Sequence, residues 1–502
     1  METVSERADR QQSPAWRQPT GWAQILLTVA VVVGALDGVN VLRDGYFHVL
    51  RPSPTGVTEL YIADGIQAVA RGDPLYPEVG KPPFVIRVYN PLSYLPGGLL
   101  ARGFADDFDD VLIVGRIVPY LSTFALLALV VFYVQRRFAM PLVAAFAPVL
   151  LLVLHSSTLT DFFRNRPEMP GLLLTFAGWF AYDLKLRRWP VLAALCFTAA
   201  FAFKQSFVAA PTAIFLLLAQ QRAVRPLLIF SGTLGAGFAA VMALAHFTLG
   251  SGYLDHTVRL LASNPVDPWA ASVSFYPLLV RHHWGLVFPG AVLAFSWLLL
   301  RRDEMPLLVY LAVCLAWTSY SHGKIGADLN YHGELSILMV LVLVVATGRM
   351  LQLRSRWSPV PVAAVVAFLV WGIASEGVGW NRVCLNRILP TPHCEPGPSA
   401  AGELRLAAEA LRERGDDVLV LHPELALRAE RVVGLDTTML TLLFRQGLLD
   451  EELLLQPVRE QRYQTIVLPR PLVGYLQRVA AVAIDSGYRL TRRDQRWLEL
   501  SR

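Results

Sequence analysis

Eleven apolar runs, in which every second connection is a short basic loop, leave few architectures open to this chain. A bilayer core about 30 Å thick needs roughly 20 apolar residues for each helix that crosses it. Only 17% of the residues are charged, whereas soluble domains contain about 25%. We therefore predict a mainly α-helical, polytopic membrane protein. The runs are residues 22–42, 109–134, 139–156, 168–184, 189–203, 206–220, 226–248, 283–300, 305–321, 333–348 and 358–377.

Basic residues in the short loops predict the orientation in the membrane. The positive-inside rule places Lys- and Arg-rich loops in the cytoplasm. The loops on one side carry Arg136 with Arg137, Lys185 with Arg187 and Arg188, Arg222 with Arg225, Arg301 with Arg302, and Arg349 with Arg354 and Arg356. Residues 1–21 are then cytoplasmic and the C-terminus extracytoplasmic, in a multi-pass protein of the inner (cytoplasmic) membrane. The formal charge of +6 mostly reflects these loops, and nothing in its distribution suggests nucleic acid as a partner.

The segments predicted on the outer side contain most of the polar residues that could carry chemistry. They are the long loop 43–108, the loops near 157–167, 249–282 and 322–332, and the tail 378–502. The first apolar run is too long for the core of a signal peptide and lacks a clear cleavage site, so we predict an uncleaved anchor. The transmembrane domain, residues 22–377, is followed by an outer linker, residues 378–399.

The tail changes in composition from about residue 400 and predicts a small extracytoplasmic α/β domain, residues 400–502. Helix-like and strand-like segments alternate there: 402–414, 417–421, 465–468 and 471–484. Cys384 and Cys394 of the linker are predicted to form a disulfide in an oxidising exterior. Cys196 and Cys314 lie inside apolar runs, where a free thiol acts as a small hydrophobic group.

The first outer loop contains the carboxylates of most interest. Apolar residues recur at helical spacing between Glu59 and Ala70, which predicts an amphipathic helix in the membrane interface. Glu59 lies in its first turn, where an acid also simply complements the helix dipole after a Thr58 cap. Asp64 is on another side of this helix and is predicted to be a solvated surface charge. Asp37, near the outer end of the first run, needs a polar partner such as Arg43 or Asn40.

Three further clusters lie at the same predicted membrane face. Charged side chains there can bind phosphate or a sugar hydroxyl, although salt bridges that anchor a helix start, or lysines that extend to the lipid headgroups, explain them equally. Glycines and a helix start in the last cluster favour an anion. The clusters are Asp161 to Glu168 with Arg164 and Arg166, the pair Lys204 and Gln205, and Ser321 to Glu334 with His322, Lys324, Asp328, Asn330 and His332.

Several short phrases, in order along the chain, resemble the GT-C superfamily of polytopic glycosyltransferases, among them relatives of protein O-mannosyltransferases and the lipid A aminoarabinose transferase. An acidic residue opens the first outer helix, and relatives often have an Asp-Glu pair where this chain has Thr58 and Glu59. The other phrases are Gly72-Asp-Pro-Leu-Tyr76, Tyr89-Asn-Pro-Leu-Ser-Tyr-Leu-Pro96, Arg166-Pro-Glu168, Lys204-Gln205, and Gly326-Ala-Asp-Leu-Asn-Tyr331 with Glu334.

The resemblance implies an enzyme that transfers a sugar from a polyprenyl-phosphate donor, with inversion, to a lipid, glycan or protein acceptor at the outer face of the membrane. By this resemblance Glu59 is the candidate general base, with Asp37, Asp44 and Asp64 as rivals. Cations would hold the donor phosphate: Arg166, Lys204 and Lys324, with His322 or His332. Polar groups would orient the sugar or the acceptor: Asp161, Glu168, Gln205, Asp328, Asn330 and Glu334.

Two other functions fit the same residues. An oligosaccharide ligase or polymerase with a diphosphate carrier would also need cations at the outer face. A transporter of lipid-linked sugars would be expected to place polar groups near the bilayer midplane in paired repeats, and the sequence has neither. A divalent metal is a candidate cofactor, but no spacing of His, Asp or Glu identifies a site for it.

Overall fold

A computed structural model describes most of the outer loop, most of the helical region and most of the tail. The described residues are 45–52, 54, 56–81, 85–138, 145–146, 148–149, 152, 163–277, 279–280, 305–324, 329–352, 398–414, 417–430, 440–441, 443–444, 447, 449–472, 474–494 and 496–502.

Helices dominate these residues up to position 352. Short 3-10 segments at Pro91–Ser93 and Leu329–His332 and π-helical segments at Asp255–Arg259 and Ala270–Ser274 connect them. The helices are α1 (Val57–Arg71), α2 (Leu95–Phe104), α3 (Phe108–Phe138), α4 (Glu168–Asp183), α5 (Trp189–Phe203), α6 (Ala209–Gln220), α7 (Val224–Thr248), α8 (Leu260–Ser263), α9 (Met305–His322) and α10 (Gly333–Gln352).

Seven of the apolar runs coincide with helices α3 to α7, α9 and α10, and the run 189–203 has the same bounds as α5. The runs 22–42, 283–300 and 358–377, and nearly all of 139–156, lie outside the described residues, so the count of eleven stays a prediction. Within the described part, α3 and α7 are long and apolar enough to cross a membrane.

The surface of α7 supports a membrane location. Most of this helix is not buried by the rest of the protein, and Leu228, Leu244 and Phe247 are 67%, 65% and 83% exposed. An apolar surface of this extent is unfavourable in water. It is the surface expected of a helix that contacts lipid.

Helices α3 and α4 run parallel to each other. Arg116, near the start of α3, lies beside Asn165, just before α4; Arg137, near the end of α3, pairs with Asp183 at the end of α4 (Nε–Oδ2 2.8 Å). At 1.5 Å per residue, Arg116 and Arg137 are roughly 30 Å apart along the helix, which matches the thickness of a bilayer core. Parallel helices are expected if residues 139–156 cross back between them. The cytoplasmic placement of the N-terminus stays a prediction.

Helix α1 differs from its prediction in one respect, because it is enclosed by protein and does not leave one face exposed; its depth relative to the membrane interface stays a prediction. Its residues from Glu59 to Val69 are nearly all buried, and it packs against α2, α3 and the tail. Thr58 does not cap it, since the helix begins after Gly56 without a side-chain cap, and it ends at Gly72, whose φ of 81° lies in the left-handed region.

The tail contains a small four-stranded sheet, in agreement with the predicted α/β composition. Strand order is β1-β2-β4-β3, with β1 parallel to β2 and the other two pairs antiparallel. The predicted segments 417–421 and 465–468 become strands, and 402–414 and 471–484 become helices. The elements are α11 (Pro398–Glu413), β1 (Val418–Val420), α12 (Pro423–Arg428), α13 (Glu452–Arg459), β2 (Thr465–Pro469), α14 (Tyr475–Asp485), β3 (Arg489–Arg493) and β4 (Trp497–Ser501).

The outer loop and the tail share one hydrophobic core. Leu60 and Tyr76 of the loop belong to the same buried cluster as Leu404, Leu425 and Trp497 of the tail. This shared core attaches the tail to α1. The domain boundaries and the outer placement of the tail stay predictions, and Cys384 and Cys394 lie outside the described residues. Cys196 and Cys314 are free thiols, as predicted.

Candidate active site

Glu59 is completely enclosed and forms a two-pronged ion pair with Arg116. Arg116 Nε donates to Oε1 at 3.0 Å and Nη2 donates to Oε2 at 2.8 Å. The backbone N–H of Asn165 also donates to Oε1, at 2.7 Å. The close approach depends on Gly115, because a Cβ there would lie 2.5 Å from Asn165 Nδ2. Three charge-assisted hydrogen bonds hold this carboxylate in its ionised form.

Asp64 is not the solvated surface charge that the sequence predicts. It is 5% exposed and pairs with the equally buried Arg87 (Nε–Oδ2 2.7 Å). The same guanidinium donates to the carbonyls of Pro74 and Leu75 at 3.1 and 2.6 Å. Asp64 therefore orients Arg87, which ties together two segments of the outer loop.

Lys204 is buried and pairs with Glu168 at the start of α4 (Nζ–Oε1 2.8 Å). The rings of Tyr331 and Tyr89 face its ammonium, with centroids 4.4 and 5.7 Å from Nζ. A lysine that simply extends to lipid headgroups would be exposed, so that interpretation does not apply. Taking both charges out of water is costly and is offset only because they meet.

A small cavity lined by both polar and apolar side chains lies beside this ion pair. Glu168, Lys204 and Glu334 supply its charged atoms, and among the described residues Lys204 is the one cation in its lining. Tyr310 OH donates to Glu334 Oε1 at 2.6 Å behind the cavity wall. The other lining residues are Leu172, Ser206, Phe207, Trp317, Thr318, Ser321 and Tyr331.

The two ion pairs lie at opposite ends of one short segment. Asn165 binds Glu59 through its backbone, and Glu168, three positions later, binds Lys204. An extended chain covers at most about 3.6 Å per residue, so the two Cα atoms are no more than roughly 11 Å apart. Arg166 lies between them and is 8% exposed. The segment 165–168 therefore holds the Glu59–Arg116 pair and the Glu168–Lys204 pair close together.

Two predicted phosphate ligands, His322 and His332, lie together, next in sequence to the cavity-lining residues Ser321 and Tyr331. Their ring centroids are 5.9 Å apart, and Phe275 packs against both. Lys324 follows at the end of α9, beside the ring of Tyr320. Asn330 is in the 3-10 turn that leads into α10, but its side chain lies outside the described part, as do Asp37, Asp44, Asp161 and Asp328.

Gln205 is predicted to orient the sugar or the acceptor, and it also forms hydrogen bonds within the protein. Its Nε2 donates to the carbonyls of Val88 and Thr257 at 2.9 and 3.3 Å. Asn90 Nδ2 donates to the carbonyl of Phe201 in the same region. The strand-like residues 85–90, which carry Tyr89, are therefore fixed against the turn that carries Lys204.

His256 has both ring nitrogens engaged within the protein. Nδ1 accepts the backbone N–H of Arg87 at 3.2 Å, and Nε2 lies 2.7 Å from the carbonyl of Pro77. Nε2 must therefore carry the proton of a neutral ring. Burial is the main cause that lowers the pKa of His256 from 6.5 to about 4.

This histidine predicts a loss of stability in mild acid. The unfolded ring takes up a proton near pH 6.5 and the folded ring only near pH 4, so its stabilising contribution is complete above pH 6.5 and is lost between these values. At pH 5 the loss is about 2 kcal/mol. In detergent, the thermal midpoint should fall from pH 7 to pH 5 by more in the wild type than in His256→Gln. Equal decreases of the thermal midpoint in the wild type and in His256→Gln would show that His256 does not cause the loss of stability.

Sequence reasoning missed Arg116, and a signal for it was present. Arg116 is the one charged residue between positions 111 and 135, and a charge inside an apolar run marks a buried partner or a function. Trp317, in the wall of the cavity, had no comparable signal, whereas Tyr331 is the last residue of one of the motifs quoted above. Among the described residues, no group of three or more His, Cys, Asp or Glu could hold a metal.

Solved structures resemble the chain over nearly its whole length. ArnT from Cupriavidus metallidurans bound to undecaprenyl phosphate has a TM-score of 0.59 at 14% identity and covers 96% of this chain and 98% of that one. Its apo state has a TM-score of 0.56 at the same identity and coverage. The apo oligosaccharyltransferase of Archaeoglobus fulgidus has a TM-score of 0.51 at 12% identity, over 93% of this chain and 72% of that one. Both proteins belong to the GT-C superfamily.

The chain has the GT-C fold. This confirms the architecture that the sequence phrases implied. No family model and no curated protein sequence matches the chain, so the likeness is one of structure.

Proposed function

We propose that the protein is a membrane glycosyltransferase that moves a hexosyl or pentosyl group from a polyprenyl-phosphate donor to a lipid, glycan or protein acceptor at the outer face of the cytoplasmic membrane. One observation carries the proposal: the buried Lys204–Glu168 pair beside a small cavity. Support comes from the GT-C fold, which is shared with a protein crystallised with undecaprenyl phosphate.

Lys204 is assigned to the donor phosphate. As the bond between the anomeric carbon and the phosphate oxygen breaks, the electron pair stays on the phosphate, whose negative charge increases. A cation fixed beside it lowers the barrier. When phosphate arrives, Glu168 shares the ammonium or releases it to the new anion. Arg166, Lys324 and one of His322 or His332 are assigned as further contacts of the phosphate.

Glu59 is assigned as the general base. The acceptor hydroxyl oxygen attacks the anomeric carbon from the side opposite the phosphate, so a single displacement inverts the configuration. The hydroxyl proton passes to the carboxylate, which must be ionised beforehand. Arg116 and the Asn165 N–H favour that ionised form. Asp37 and Asp44 remain rival bases, and Asp161, Gln205, Asp328, Asn330 and Glu334 are assigned to orient the sugar or acceptor.

A turnover assay with donors of different classes tests this function. Purified protein in lipid nanodiscs receives either a sugar on a polyprenyl monophosphate or an oligosaccharide on a polyprenyl diphosphate, together with an envelope extract as acceptor. Mass spectrometry should detect polyprenyl phosphate released only from the monophosphate donor and only with acceptor. Release from neither donor, combined with movement of the donor across proteoliposome membranes, would indicate a transporter.

The diphosphate-dependent ligase is the second candidate. The oligosaccharyltransferase of Archaeoglobus fulgidus shares the fold at a TM-score of 0.51, which favours this candidate over functions outside the superfamily. A ligase must accommodate a longer glycan and one more phosphate, and it would consume only the diphosphate donor in the same assay.

A further inference from the structure

Residues 48–52, which precede α1, lie between two buried arginines from distant parts of the chain. Arg116 of α3 donates through Nη1 to the carbonyls of His48 and Arg51, at 3.1 and 2.6 Å. Arg428 of the tail donates through Nη2 to the carbonyl of Pro52 at 2.9 Å. Three carbonyls of one short segment are thus held from two sides.

Arg428 is itself fixed at the junction of the tail and α3. Its Nη1 lies 2.6 Å from Asp109 Oδ1, and its Nε donates to Glu424 Oε1 at 3.1 Å. The guanidinium also lies over the ring of Phe108, 5.3 Å from the centroid. The side chain is only 5% exposed, so all of its charge is directed at these partners.

Both arginines act on the same helix. Asp109 and Arg116 are seven residues apart in α3, which places them on one face about two turns apart. Arg428 forms an ion pair with Asp109 on this face. The Arg116 side chain extends from the same face to Glu59. The segment 48–52 bridges the two positions. A shift of the tail therefore moves the carbonyls that hold Arg116, and with them the guanidinium that orients Glu59.

We propose that the tail aligns the candidate base through Arg428, which acts as a positioning residue for Arg116 and Glu59. The proposal deepens the proposed function and rests on it. In this account the tail is part of the active-site framework, and its role is to keep the carboxylate aimed at the acceptor hydroxyl. Arg428 makes none of the contacts described at Lys204, so we expect its replacement to leave donor binding there unchanged.

Kinetics of Arg428→Met test the consequence for catalysis. A misplacement of about 1 Å can cost up to a hundredfold in rate, so kcat should fall about tenfold to a hundredfold while KM for the donor stays within about twofold. Arg428→Lys, which can still reach Asp109, should recover part of the rate. Arg459→Met is the matched control, because Arg459 is an exposed arginine of the same tail paired only with Glu452 among its described ion-pair partners; it should behave as wild type.

Hydrogen exchange gives a readout that does not need the enzyme activity. In Arg428→Met, exchange should increase at the amides of residues 48–51 and at the Asn165 amide, and in Arg459→Met it should not. If Arg428→Met does not fold, Arg428→Lys and Asp109→Asn are compared in its place. Unchanged exchange at these amides, or an increase spread evenly over the tail, overturns the proposal. If exchange increases as expected in Arg428→Met but the wild type transfers no sugar, the proposed function is rejected instead.

Discussion

Glu59→Gln should reduce sugar transfer by about a thousandfold or more and leave donor binding nearly unchanged. Removing a general base costs about a hundredfold to ten-thousandfold, and the variant also loses the ionised partner of Arg116. The measurement is a single-turnover rate together with the dissociation constant of the donor lipid. Transfer within a few-fold of wild type would reject Glu59 as the base.

The ion pair requires a control for stability in this experiment. Leaving a buried arginine unpaired destabilises a protein by about 3–5 kcal/mol, so inactivity alone could reflect partial unfolding. The double variant Glu59→Met with Arg116→Met removes both charges and should recover most of the thermal stability without recovering transfer. If the double variant transfers sugar, Glu59 serves structure only.

The Asp64→Asn variant distinguishes the role of Asp64 from that of Glu59, the other carboxylate of α1. This residue is also buried and paired with an arginine, so its loss should destabilise the protein to a comparable extent. If Glu59 is the base, folded Asp64→Asn protein keeps its transfer rate within about tenfold. If folded Asp64→Asn protein loses transfer and the Glu59→Gln variant stays active, Asp64 is the base and Glu59 is not.

Lys204→Met should weaken donor binding by about a hundredfold, because it removes the one cation among the described residues that line the cavity. A charge-assisted contact with phosphate is stronger than a neutral hydrogen bond. The variant leaves Glu168 unpaired, so Lys204→Met is compared with the double variant Glu168→Gln and Lys204→Met, which relieves the buried charge. Both should bind donor weakly.

Lys185→Met serves as the control for a general loss of positive charge. Lys185 is exposed in the turn after α4, beside the rings of Tyr182 and Trp189. Donor binding should be unchanged in this variant. Equal losses in Lys185→Met and Lys204→Met would mean that lysines attract the anionic lipid only through the net charge of the protein.

Much of the helical architecture could be predicted because apolar runs of this length have few alternatives. A membrane helix satisfies its backbone hydrogen bonds internally, so bounds such as those of α5 follow from composition alone. The tail elements followed from the change between helical and alternating patterns, for example at residues 465–468.

The partners of the charged residues could not be predicted from spacing. Glu59 meets Arg116 and Glu168 meets Lys204 only because separate helices pack together, and no local pattern encodes such pairs. The burial of α1 was missed for the same reason: residues that look polar on one face, including Asp64, find arginines from other segments. Arg116 itself was overlooked because its run was assessed by hydropathy, which one charge barely changes.

In the proposed mechanism the tail belongs to the catalytic framework and the helical region contains the donor site. Arg428 and Arg116 connect the two through residues 48–52. Variants of the tail should therefore affect the rate of transfer, whereas variants of Lys204 should affect the affinity for the donor.

A structure of the protein with an unreactive analogue of a polyprenyl-phosphate sugar would show whether Lys204 and Glu59 have the assigned roles. We expect the phosphate to lie about 3 Å from Lys204 Nζ and the Glu59 carboxylate to be the nearest acid to the face of the anomeric carbon opposite the phosphate. A phosphate bound away from Lys204, or another acid at that face, would reject these roles.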